Sequence, residues 1–178
     1  QIRYSDKLSL SYVPNVSKIG LAPAHGAQPS GACGAFGGQL SNGQLGPGAT
    51  VYLPVFVDGG LLTIEDVHAK MGDGEIAASA VEIAAEVTLR CRIAGELQLA
   101  HPLVVTSKEV QTMGEGETAE AAVRMAMDEL AHLLMARTGA DITEAAMLVS
   151  IAADVRISEM AGSPCHVRAA MAREIVGM

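Results

Sequence analysis

The chain has 178 residues, 49% of them apolar with a mean hydropathy of +0.30, which is enough apolar material for a sizeable core and excludes a disordered segment. Twenty acids against twelve bases give a net charge of −8, and no Lys/Arg run occurs, which argues against nucleic acid and anionic membrane surfaces as partners. Cys33, Cys91 and Cys165 are widely spaced with no Cys-x-x-Cys, so neither a disulfide framework nor a thiolate zinc knuckle is indicated and a reducing cytoplasm is expected.

With two Phe, three Tyr and no Trp, the core must come mainly from Val, Leu, Ile, Met and Ala. No apolar run approaches the ~20 residues that span a bilayer, and the start has no signal-like apolar core. The chain opens at Gln1 and runs almost at once into a strand-like pattern, so an upstream segment is expected.

Residues 7–13 and 18–22 read as short strands broken at Pro14-Asn15. Residues 23–48 are dense in Gly, Ala, Ser, Pro and Gln; strand-like flanks on both sides favour an ordered loop beside a site over a flexible linker. Residues 50–57, rich in β-branched and aromatic side chains, form a strand that Pro54 assigns to an edge or a bulge. After Asp58-Gly59-Gly60, residues 61–64 deliver the next stretch as a strand.

That stretch, residues 66–75, gathers three carboxylates and an imidazole. Alternate residues of an extended chain share a side, so Asp66 pairs with His68 and Asp73 with Glu75, while Gly72 and Gly74 permit a reversal that aims both pairs at one point. Such a set suits a divalent metal ion or a general base toward water; an acidic surface loop with a lone histidine is the plainer alternative.

From residue 75 to 93, Val81, Ile83, Ala85, Val87, Leu89, Cys91 and Ile93 alternate with polar residues, predicting one long strand or two in succession. Glu82 lies on the polar side, either solvated or a further acid near the site. Residues 97–107 and 110–113 add short strands, and His101 is assigned a structural place. Helical spacing of Val123, Met127, Leu130 and Leu134 predicts a helix over 118–138 stopped by Gly139, with His132 facing solvent or satisfied locally. Asp141 with Glu144 caps a second helix to about residue 153. Residues 154–159 resume strand character, with Asp154 and Arg156 on one face, and 166–171 follow a turn at 162–164 as a last strand. This order predicts a single α+β domain over 1–178, with β-rich mixed or antiparallel sheets and two flanking helices near the C-terminus.

Three stretches taken in order, Val51-Tyr52-Leu53-Pro54-Val55-Phe56-Val57, then Asp66-Val67-His68-Ala69 with Gly72-Asp73-Gly74-Glu75, then Ser150-Ile151-Ala152-Ala153-Asp154-Val155-Arg156-Ile157-Ser158, resemble the acetamidase/formamidase family, specifically its C-terminal part. The resemblance implies metal-assisted hydrolysis of short linear amides to carboxylate and ammonia, in a β-rich fold within an oligomer. Its divalent ion, zinc ahead of calcium, is expected on Asp66, His68, Asp73 and Glu75. Glu75 or Glu82 is expected to take a proton from water, and the main-chain N–H groups of Gly37 and Gly38 to stabilise the oxyanion.

Where the family carries Pro-His-Gly-Gly-Asn and then Asp, this chain has Ala35-Phe36-Gly37-Gly38-Gln39 and Ser41. Phe36 neither binds a metal nor moves a proton. The alternative reading is accordingly a non-catalytic fragment or diverged subunit that holds a structural ion or a partner chain. The strand at 7–13 is expected to pair with a missing N-terminal half or a second copy.

Overall fold

A computed structural model describes residues 1–95, 97–162 and 164–178. A small hairpin of β1 (Ile2–Arg3) and β2 (Ser9–Leu10) precedes two five-stranded sheets. The first sheet has the order β4 (Cys33–Gly34), β5 (Gly37–Gln39), β3 (Asn15–Gly20), β7 (Thr63–Lys70), β8 (Val81–Glu82). The second runs β11 (Asp154–Glu159), β12 (Cys165–Ala172), β10 (Glu109–Gly116), β9 (Leu103–Val105), β6 (Thr50–Tyr52). Neighbouring strands in all three sheets are antiparallel. Two longer helices, α1 (Ala119–Thr138) and α2 (Ile142–Ala152), and the single turn α3 (Arg173–Val176) complete an α+β fold.

Period-two alternation in β12 decides the layering. Cys165, Val167, Ala169 and Met171 enter the core that packs under α1, with Ala126, Leu130 and Leu134 from the helix. His166 and Arg168, on the opposite face, are almost fully buried toward the other sheet. The sheets meet through Ile19 and Leu40 from one side and Val104 and Met113 from the other, so the interior between them is apolar in one part and polar where His166 and Arg168 lie.

Both helices carry the ends their sequence predicts. Thr118 accepts from the Ala121 N–H at 3.2 Å, and Gly139 closes α1 in the left-handed region. Asp141 and Glu144 form a reciprocal capping box at α2. His132 is exposed, and Asp154 lies 3.4 Å from Arg156 as their shared face predicts. No helix among the described residues is long and apolar enough to cross a membrane.

Several strands are corrected. The strand expected at 7–13 shrinks to β2, because a tight turn through Ser5 and Leu8 folds it back on β1. The break falls before Asn15, which begins β3. The strand at 50–57 stops at Tyr52, two residues before Pro54, on the outer edge of its sheet. The long strand at 75–93 is reduced to β8; from residue 84 to 93 the chain is exposed and has no ladder partner. Residues 97–107 supply only β9. Of the turn expected at 162–164, Ser163 lies outside the described residues. The glycine-rich 23–48 is ordered and contributes β4 and β5.

Candidate metal and catalytic site

Strand β7 supplies the first two groups. Asp66 and His68 project from the face that Asn15 and Ser17 bury on β3, and Asp66 Oδ1 lies 3.1 Å from His68 Nε2. The ladder between β3 and β7 skips Asp66, whose φ is +62°. Glu82 sits directly opposite His68 on β8, and its Oε1 lies 3.1 Å from the same Nε2. One imidazole nitrogen therefore faces two carboxylates.

Glu75 arrives from the loop after β7. Gly74 bridges to Glu159, and its carbonyl accepts from the Met160 N–H at 2.9 Å, so the loop is stitched to the end of β11 in the other sheet. Glu75 is 7% exposed, and one ligand-capable atom each of Asp66, His68 and Glu75 lies within 4.8 Å of the others. Burial raises the Glu75 carboxyl above the usual carboxylate range; Ser41 and His68 oppose that shift, and Glu159 and Asp66 add to it. Among the described residues, His68 Nδ1 and Glu75 Oε2 are buried without a hydrogen-bond partner.

Gln39, Ser41 and Glu159 complete the surroundings. Gln39 Nε2 donates to Asp66 Oδ2 at 3.1 Å and to Ser41 Oγ at 3.2 Å, and Ser41 Oγ donates to Glu159 Oε2 at 2.8 Å. Five non-glycine residues have positive φ among those described, and three of them, Ser41, Asp66 and Glu75, belong to this cluster. Backbone strain concentrates at functional sites because the surrounding packing must hold it in place.

The sequence expectation thus divides. Asp66, His68, Glu75 and Glu82 come together. Asp73 turns away, and its Oδ1 accepts from Arg168 Nη2 at 2.6 Å. Gly37 and Gly38 lie in β5, with β3 on one side and β4 on the other; an added Cβ would come 2.5 Å from the Ile19 carbonyl at Gly37 and 2.2 Å from the Ala32 carbonyl at Gly38. Glu159 was not foreseen, since it is 118 residues from Ser41 and stands in a strand with no local chemical signal. Gln39 and Ser41 were visible only as altered positions in the glycine-rich loop.

The fold of two five-stranded sheets backed by helices has close parallels. Residues 24–176 match the Acetamidase/Formamidase family. An acetamidase from Bacillus halodurans superposes with a TM-score of 0.92 at 39% identity, over 96% of this chain and 58% of that one. A protein described as a predicted acetamidase/formamidase from the thermophile Thermoanaerobacter tengcongensis gives 0.94 at 34%, over 98% and 58%. An acetamidase from Yersinia enterocolitica gives 0.89 at 30%, over 98% and 53%. The chain belongs to the acetamidase/formamidase family, and it spans a little over half the length of these relatives.

Proposed function

We propose that this chain carries the hydrolytic site of an enzyme that cleaves short linear amides to a carboxylate and ammonia, and that Asp66, His68 and Glu75 hold a divalent cation there. The observation that carries the reading is the convergence of those three side chains within 4.8 Å in a member of this family.

The donor set fits such an ion. His68 Nε2 has at most one proton for two carboxylate oxygens, each 3.1 Å away, and the buried Glu75 Oε2 has no donor among the described residues. A cation answers both deficits. One nitrogen and two oxygens suit zinc, which we place ahead of calcium. When bound, such an ion supplies Lewis acidity toward the amide carbonyl and toward water.

The remaining work falls to the chain's own groups. Glu82 has 54% of its side chain exposed, beside His68, and we assign it as the general base. It accepts a proton from the attacking water and returns it to the leaving nitrogen, which otherwise would have to depart as a strongly basic anion. Gln39 fixes the Asp66 carboxylate through its donated hydrogen bond. The oxyanion role expected of Gly37 and Gly38 is not kept, because β5 has ladder partners on both sides. We also propose an oligomer, since Tyr4, Tyr12, Met147 and Ile151 are exposed apolar side chains of the kind interfaces cover; light scattering on the complete gene product measures it.

The test of the activity is ammonia release from formamide and acetamide by the complete gene product, before and after chelation. Release that falls with chelator and returns with zinc is expected; no release from either amide at any metal loading removes the proposal.

A further inference from the structure

A second cluster lies across the same sandwich. Glu115 and His166 are direct partners in the β10–β12 ladder, and Glu159 and His166 are partners in the β11–β12 ladder, so the three side chains form one row on the inner face of their sheet. Cys33, from β4 of the opposite sheet, meets that row. One ligand-capable atom each of Cys33, Glu115 and His166 lies within 4.8 Å of the others.

His166 is the second observation. It is 2% exposed, and neither ring nitrogen makes a well-formed hydrogen bond among the described residues; Glu159 Oε2, 3.6 Å from Nδ1, and the Gln39 main chain are polar neighbours that fall short of that geometry. A buried imidazole unsatisfied at both nitrogens is costly unless something binds it.

We infer that Cys33, Glu115 and His166 form a second cation site, of the thiolate–imidazole–carboxylate kind that selects zinc, clamping one sheet to the other. Thiolate and imidazole discriminate against calcium and magnesium, and a thiolate plus a carboxylate neutralise a divalent ion. A nucleophilic role for Cys33 fits less well. Burial, with Glu115 and Glu159 nearby, pushes its thiol far up, the reverse of an activated thiolate, and only an adjacent positive charge would hold it deprotonated. Glu159 also accepts from Ser41, so it stands between this site and the Asp66 cluster and is placed to orient His166.

The site differs from the Asp66 cluster in containing sulfur, and cobalt(II) substitution of the complete gene product reads that difference without any activity assay. Thiolate-to-cobalt charge-transfer absorption is expected in the wild type and in His68→Ala and Cys91→Ser, and is lost in Cys33→Ser. Glu115→Gln, which removes a charge and almost no volume, covers the case in which the cysteine variant does not fold; it should weaken the cobalt binding that gives this absorption about 10-fold or more. No thiolate absorption in the wild type, its persistence in folded Cys33→Ser, or unchanged affinity in Glu115→Gln overturns the inference.

Discussion

Arg168 on β12 is fully buried and donates from Nη2 to Asp73 Oδ1 at 2.6 Å, so the acid that the sequence groups with Glu75 ties the loop after β7 to the other sheet. The only other hydrogen bond described for that guanidinium runs from Nη1 to Ser158 Oγ at 3.2 Å, and Nε has no partner among the described residues. Asp73→Asn therefore leaves a buried cation poorly matched. Because Asp73 is about half exposed, we expect a loss of about 2 kcal/mol, at the lower end of values for a buried charge, read from urea unfolding. Combined with Arg168→Met, the double variant should lose at least about 1 kcal/mol less than the sum of the single losses. Strict additivity would show that the pair does not couple the loop to β12.

Ion binding and proton transfer separate at Glu75 and Glu82. Glu75→Gln preserves volume but removes a charged ligand, and its affinity for zinc should fall at least about 10-fold, measured by metal content after dialysis against a competing chelator. Glu82→Gln should retain the metal while kcat for formamide falls about 10²- to 10⁴-fold, the range for loss of a positioned general base. A Glu82→Gln enzyme with full metal and unchanged kcat would place the base elsewhere.

Local signals were readable wherever the chemistry itself is local. Thr118, Gly139 and the Asp141/Glu144 pair fixed both helices because a cap acts within four residues of itself. Asp66 and His68 were legible for the same reason, being two residues apart on one strand. The alternation from Val81 to Ile93 was equally clear and misled, because periodicity defines two faces but does not supply a partner edge. Only Val81, Glu82 and Ile83 reach β7, and Ile93 is 92% exposed. Glu159, His166 and the Arg168–Asp73 pair were illegible, since each depends on how two sheets stack.

Glu109 gives a pH signature away from the candidate ion sites. Arg156 donates to it twice, at 2.6 and 2.8 Å, and this holds its carboxyl below the usual carboxylate range despite opposing burial. A depressed folded pKa means the unfolded chain binds the proton more readily. The contribution is therefore complete above the unfolded value and disappears as pH falls through the folded value. Glu109→Gln should cost about 1.5–3 kcal/mol near neutral pH. The gap between variant and wild-type unfolding free energies should close in acid; a gap independent of pH would mean that the ion pair contributes nothing.

Gly114 faces α1 from the middle of β10, and a Cβ built there would come 2.2 Å from the Ala122 carbonyl oxygen and 2.6 Å from the Ala126 nitrogen. Both obstacles are helix backbone, so no rotamer change relieves them. Gly114→Ala must lift α1 away from the sheet and open the core around Leu130 and Leu134, at a cost of about 3 kcal/mol. The effect is steric and not conformational, because Gly114 is not among the glycines with positive φ. Two controls follow from that distinction. Gly31→Ala, with nothing within 4 Å of its Cβ and no positive φ, should stay within about 0.5 kcal/mol of wild type. Adding Ala126→Gly to Gly114→Ala removes the Ala126 Cβ, 3.0 Å away, but leaves the backbone contacts, so it should not restore stability. Recovery of the wild-type unfolding midpoint in that double variant would show that the helix is held off the sheet by side chains and that Gly114 does not set its approach.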